Sequence, residues 1–188
     1  MVSAVTTMSK VLVLFTKSDT KDSKKLRDYL QVKIGSGVNL TTEEEIIAAD
    51  LDTNNELTNT GCVLLVSSKQ SYEFIKSKTC EKTGEFVVFN GKLVQEHIEK
   101  KSLLERLIVV QFGRKILVDY IPPGFDNKRV FPINPDLLND ELSKEDVGER
   151  EAVLNQIIDT IKGTLSLKLS GRSSDKPSKH EKGNCSQM

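Results

Sequence analysis

The ten residues Lys10-Val11-Leu12-Val13-Leu14-Phe15-Thr16-Lys17-Ser18-Asp19 constrain the fold more than any other stretch of this chain. Five apolar residues in a row, two of them β-branched, run into a polar loop, and an amphipathic helix pattern starts at once. The first strand of a parallel sheet reads this way, because helices cover both faces and neither set of alternate side chains has to be polar. In such sheets the loop after the strand lies at the edge where sites are built. This loop holds no glycine-rich phosphate cradle, no Cys-x-x-Cys and no nucleophile elbow. So little chemistry in the first strand–helix loop points to recognition before catalysis.

The alternation continues along the chain. Residues 22–34 place Leu26, Tyr29, Leu30 and Ile34 on one helical stripe, with Lys24, Lys25, Arg27 and Lys33 on the other faces. Gly35-Ser36-Gly37 ends that helix. Val38–Leu40 reads as a short second strand. Thr41-Thr42-Glu43-Glu44-Glu45 has the capping-box pattern, a threonine with a glutamate three residues on. It opens a helix toward Leu57 that Asp52-Thr53-Asn54-Asn55 weakens. Cys62–Val66 is a buried central strand, followed by a short helix over residues 70–78 and a loop over 79–85. Phe86–Phe89 reads as a strand because Asn90-Gly91 is a hairpin signal. The helix expected over 92–105 shows Leu93, Val94, His97, Ile98 and Leu104 on one side. Leu107–Phe112 is another buried strand, and 116–121 is apolar and extended until Pro122-Pro123-Gly124 breaks it. Val130-Phe131 reads as an edge strand. The last helix, 149–165, has Val153, Leu154, Ile157, Ile158, Ile161 and Leu165 as its core stripe. The order β-α-β-α-β-α-(insert)-α-β-β-α predicts an α/β fold with a mainly parallel sheet and helices on both faces.

A length of 188 residues suits one such domain plus tails. Residues 1–9 read as an N-terminal extension, 10–166 as the domain and 167–188 as a disordered tail. That tail is rich in Ser and Lys and has no apolar periodicity. The apolar runs fall far short of the roughly 20 residues a bilayer demands. Residues 1–9 lack the basic and apolar regions of a signal peptide, so no membrane insertion is expected. The three cysteines, Cys62, Cys80 and Cys185, are scattered, which argues for a reducing compartment and against a disulfide framework or a zinc site. The formal net charge is zero, a poor match for nucleic acid. The charges are nevertheless segregated. Residues 17–33 hold six basic and three acidic residues, and residues 41–56 hold six acidic and no basic ones.

Three segments together resemble one family. Val11-Leu12-Val13-Leu14-Phe15-Thr16-Lys17-Ser18-Asp19 is similar to an opening strand with a Ser-x-Asp loop. Cys62-Val63-Leu64-Leu65-Val66-Ser67-Ser68 is similar to a central strand ending in serine. Within 94–132, Leu107-Ile108-Val109-Val110-Gln111-Phe112 and Ile121-Pro122-Pro123-Gly124-Phe125 are similar to a late strand and a Pro-containing loop. These are signatures of the SEFIR branch of the Toll/interleukin-1 receptor (TIR) superfamily, the modules of interleukin-17 receptors and their adaptor. The chain departs from it in Phe15-Thr16, where an aromatic-Ser pair is usual. It has no Arg-Asp-x-x-Pro-Gly loop and, having no Trp, no Phe-Trp pair. The resemblance implies a flavodoxin-like, TIR-like three-layer fold and a cytoplasmic adaptor or receptor-proximal module in innate-type signal transduction. It implies homotypic binding to another SEFIR or TIR domain and allows a homo-oligomer; no cofactor is expected, and with no cysteine or second histidine near His97 no metal site is expected either.

Each candidate site has a plainer alternative. Glu73 follows the central strand at the place where NAD-cleaving TIR enzymes carry a catalytic glutamate, which makes a TIR-like NAD hydrolase the alternative function. Ser71-Tyr72-Glu73 lacks the Ser-x-Trp-Cys context, so a solvated helix glutamate is the reading favoured. Thr16–Thr20 superficially suits a flavin phosphate loop but has no glycine, and helix capping accounts for its hydroxyls. His97 reads as a core-edge histidine and His180 as a tail residue. Cys80, beside Lys78 and Lys82, is either activated or an ordinary exposed thiol. The interaction candidates are Lys24, Lys25 and Arg27 on the first helix, Glu43, Glu44 and Glu45 as an acidic counterpart, and Pro122, Pro123 and Phe125 in the late loop. Opposite charges on one domain permit head-to-tail contact between like domains.

Overall fold

The computed structural model describes residues 9–171, with side chains for residues 9–167. The extension over 1–8, the rest of the tail, His180 and Cys185 lie outside the described residues. The apolar run at the start forms β1 (Ser9–Leu14), and α1 (Thr20–Ile34) follows it through a single 3-10 turn at Lys17–Asp19. Then come β2 (Val38–Thr42), α2 (Glu43–Ala48), α3 (Thr53–Asn59), β3 (Cys62–Val66) and α4 (Lys69–Lys76). A hairpin of β4 (Cys80–Thr83) and β5 (Phe86–Asn90) leads into α5 (Gly91–Glu99). The chain closes with β6 (Leu107–Phe112), β7 (Val130–Ile133) and α6 (Lys144–Gly171).

Five strands form one parallel sheet in the order β2-β1-β3-β6-β7. Counting only these strands, the order is the doubly wound 2-1-3-4-5 of flavodoxin-like folds. The fold class read from the sequence is the one observed, and β1, β3 and β6 are its central neighbours. Strand alternation divides the core. Val11, Val13, Leu64, Ile108 and Val110 face α1 and α6, packing on Leu26, Leu30, Leu154, Ile157, Ile161 and Leu165. Leu12, Leu14, Val63, Leu65 and Val109 face the other way, onto Ile46, Leu57, Ile75, Phe89, Val94 and Ile98. Every residue of β3 is buried, as a strand covered on both faces requires.

The outer edge of the sheet at β2 is closed by a side chain. Gln31 of α1 donates Nε2 to the Val38 carbonyl at 2.9 Å and accepts from the Leu40 N–H at 2.9 Å. An edge strand with its N–H and C=O groups taken is a poor template for a further strand.

Six expectations are corrected. Residues 116–121 do not form a strand. Leu117 is pinned by Gln111, whose amide bonds both its N–H and its carbonyl, and a 3-10 turn at Val118–Tyr120 follows. The place beside β6 is taken by β7. Asn90-Gly91 is not the turn of a hairpin. Asn90 caps α5, accepting from Leu93 N at 3.0 Å, and the turn lies upstream, around Gly84 at φ 59°. Residues 80–83, read as loop, are its first strand. The helix expected to reach residue 105 stops at Glu99, and Lys101 turns the chain in a left-handed conformation at φ 56°. The segment 43–57 is two helices, divided by Asp50 at φ 53° and restarted by Asp52, whose side chain caps Asn55 N. α6 spans Lys144–Gly171, longer at both ends than the 149–165 stripe.

Candidate functional site

Loops at the carboxyl ends of the strands carry the polar groups. Two residues past the end of β1, Thr16 is fully buried, and the turn after it brings Asp19 back toward it. Asp19 stands at the helix N-cap but makes no cap bond. Its Oδ2 instead accepts from Thr16 Oγ1 at 2.7 Å and from Ser68 Oγ at 2.7 Å. Ser68 is itself the N-cap of α4 and closes a capping box with Ser71. Ser67, the residue after β3, donates its hydroxyl to the Tyr120 carbonyl. The gap between β1 and β3 is the topological switch point, where folds of this order bind ligands. Here the chain's own carboxylate and hydroxyls bridge it. Beside the bridge remains a crevice of about 260 Å3 whose lining includes Asp19, Ser68, Lys69, Gln111, Phe112 and Tyr120.

The hairpin docks on this edge through a residue that the sequence did not single out. Glu81 is buried and accepts from Lys17 N at 2.9 Å and from Gln70 Nε2 at 3.2 Å. Lys17 Nζ donates to the Lys82 carbonyl at 2.7 Å. No local signal marks Glu81, because its partners lie in other elements.

The acidic run divides by role. Glu45 completes the capping box of α2 with Thr42, and its other oxygen accepts from Arg27 Nη1 at 3.1 Å. Glu44 pairs with Lys24 at 2.7 Å, both side chains nearly half exposed. Glu43 points inward, 4% exposed, and its Oε2 has no hydrogen-bond partner. Loss of solvent pushes its carboxyl up to about 7. Lys25 donates to Asn139 Oδ1 at 3.0 Å. The structure thus joins two members of each set, Lys24 with Glu44 and Arg27 with Glu45, along the seam of α1 and α2, and leaves Lys25 and Glu43 out of it. Pro122, Pro123 and Phe125 sit apart in a turn closed by Phe125 N and the Pro122 carbonyl at 3.2 Å, with Gly124 at φ 79°. Pro122 is buried, Pro123 exposed, and Phe125 packs on the second core face.

Glu73 is exposed on α4 and is not among the residues lining the crevice. Its neighbour Tyr72 meets Tyr120 at 6.0 Å between ring centroids. His97 is buried, with Nδ1 3.0 Å from Ser102 Oγ and Nε2 3.1 Å from Asn54 Oδ1. Burial, and then the charges of Arg106 and Lys100, hold it below the usual histidine range. Cys62 lies inside the sheet, its thiol pushed up to about 12 by burial, and Cys80 is half-buried against Asn90 Oδ1 at 3.2 Å. Among the described residues no helix is long and apolar enough to cross a membrane.

Strand order and site together describe a doubly wound α/β domain whose switch point is bridged by its own side chains. No family model matches the sequence, and no curated protein matches it. Among solved structures the fold is similar to that of a prokaryotic SEFIR domain, with a TM-score of 0.48 and 13% identity over 80% of this chain and 92% of that one. It is also similar to the RPS4 and RRS1 TIR domain heterodimer, with a TM-score of 0.44 and 14% identity over 81% of this chain and 97% of that one.

Proposed function

We propose that this chain is a protein–protein interaction module of the SEFIR/TIR kind, a cytoplasmic adaptor or receptor-proximal domain in innate-type signalling that binds another SEFIR or TIR domain. Its domain proper is taken as residues 10–166, with the extension before it and the tail after. The observation that carries this reading is the seam of α1 and α2, where Lys24–Glu44 and Arg27–Glu45 form exposed ion pairs between opposite charge runs. Exposed pairs of this kind contribute about 0–1 kcal/mol each. Separating them costs the domain little, so each member can exchange its internal partner for one on a second domain. Such contacts set association rate and partner choice more than affinity.

Reversing Lys24, Lys25 and Arg27 to Glu tests this. Wild-type binding to a SEFIR or TIR domain should weaken as salt rises past roughly 0.15 M, where the Debye length is about 8 Å; the reversal should lower it, and it should partly return when Glu44 and Glu45 are replaced by Lys on the partner copy. Binding indifferent to salt and to reversal removes this seam as the interface, leaving the Pro122–Phe125 loop as the next candidate. Incubation with NAD tests the alternative: nicotinamide release that is lost in Glu73→Ala would replace the interaction reading with a hydrolase.

A further inference from the structure

On the side of α2 away from α1, the hairpin and the start of α5 enclose an open groove of about 390 Å3. Ile47, Leu51, Phe86, Val87 and Leu93 make its apolar lining. Phe86, at the tip of the hairpin, is 64% exposed, and Leu51 is 47% exposed. Large side chains left in water beside one another gain from being covered. The charged residues of the lining are Glu43, Asp52 and Glu85, with no lysine or arginine among them.

The outer side of α1 has the complementary character. Val32 is 83% exposed, the most of any large hydrophobic among the described residues. Helical spacing puts Lys21, Lys25 and Asp28 on the same stripe as Val32, the Asp28 carboxylate being paired with Arg27 at 3.0 Å. The helix as a whole carries five basic and two acidic residues. Among the described residues, neither Lys21 nor Lys25 pairs with a carboxylate.

We propose that Val32 of one copy, with Lys25 two turns and Lys21 three turns before it on the same stripe, docks into the Leu51–Phe86 groove of a second copy. The valine and the alkyl stems of the lysines cover Leu51 and Phe86, while the ammonium groups reach Asp52 and Glu85. This rests on the interaction reading above and names a surface for it. Knob and groove are different patches, so the contact is heterologous. Every copy added leaves one knob and one groove unfilled, and association continues in a row unless the rotation closes it.

Sedimentation of the full chain over a concentration series tests the contact. The mass of the wild-type chain should rise beyond that of a dimer and fall again with salt. Val32→Asp and Phe86→Asp should each weaken association at least tenfold while leaving the circular-dichroism melt unchanged, since both side chains lie outside the core. Val32→Asp keeps its groove and Phe86→Asp keeps its knob. An equimolar mixture of the two should therefore form 1:1 dimers and nothing larger. A wild-type chain that stays monomeric throughout overturns the proposal, as does a variant that associates like wild type or a mixture that stays monomeric. If a separate SEFIR or TIR domain still binds both variants while self-association is absent, this contact fails and the interaction reading stands.

Discussion

Glu43 is the one carboxylate of the α1–α2 seam that points into the protein, and replacing it with glutamine should make the domain more stable. Its side chain is 4% exposed, and no hydrogen bond reaches Oε2. The folded state holds the carboxyl at about 7 against an ordinary 4.5. At about 1.36 kcal/mol for each pH unit of displacement, ionising this group inside the fold costs about 3 kcal/mol. The sign follows from proton binding. Between 4.5 and about 7 the folded state keeps a proton that the unfolded chain gives up, so wild-type stability falls as pH rises through that window. Below 4.5 both states are protonated and nothing is lost. Glu43→Gln keeps the shape and removes the ionisation. Urea unfolding of both proteins at pH 4 and pH 8 should show curves close together in acid and a variant more stable by about 3 kcal/mol in base. A gap of equal size at both pH values, or a variant less stable at pH 8, would mean that the Glu43 carboxylate is solvated or paired, and the reasoning would fail.

Three further changes probe the frame around the site. Leu64→Asp puts an unpaired charge in the fully buried middle of β3 and should cost more than 4 kcal/mol, read as loss of a cooperative melting transition. Gly91→Ala sets helix propensity, which favours alanine by about 1 kcal/mol, against a Cβ that would lie 2.4 Å from the Phe74 backbone. The clash wins, and the melting temperature should fall by an amount equivalent to about 3 kcal/mol once the overpacking is counted. Gln31→Ala uncovers the Val38 carbonyl and the Leu40 N–H and should lower stability by about 1–2 kcal/mol in urea unfolding. It should also raise light scattering on prolonged incubation, which the wild-type chain should not show.

How much of this was readable in advance depended on how local the cause was. Cys62–Val66 announced itself because five consecutive apolar residues suit only a strand buried on both faces. Thr42 and Glu45 form the capping box their spacing implied. Asn90-Gly91 misled because the same dipeptide serves a hairpin turn and a helix cap. What decides is the α4 backbone, which approaches Gly91 so closely that no Cβ fits, and that contact is invisible in the local sequence. The strand Cys80–Thr83 had no alternation to betray it, and its ladder is broken by a bulge between Glu81 and Lys82. The two charge runs were legible in sign and extent. That they meet each other inside one chain was not, because β2 lies between them in sequence and only the packing of α2 beside α1 brings Lys24 to Glu44.

The two ends of the sheet are fastened by different means. At the amino end Arg106 grips the Leu57, Thr60 and Ser102 carbonyls, and Arg129 grips the Glu105 carbonyl and Thr164 of α6. Two half-buried guanidinium groups thereby rivet α3, α6 and the chain before β6 to one another. At the carboxyl end the gap between β1 and β3 is crossed by hydroxyl bonds from Thr16 and Ser68 to the Asp19 carboxylate, while Glu81 and Gln111 tie down the hairpin and the segment after β6. Amide exchange should therefore be slower around the two guanidinium rivets than across the β1–β3 gap.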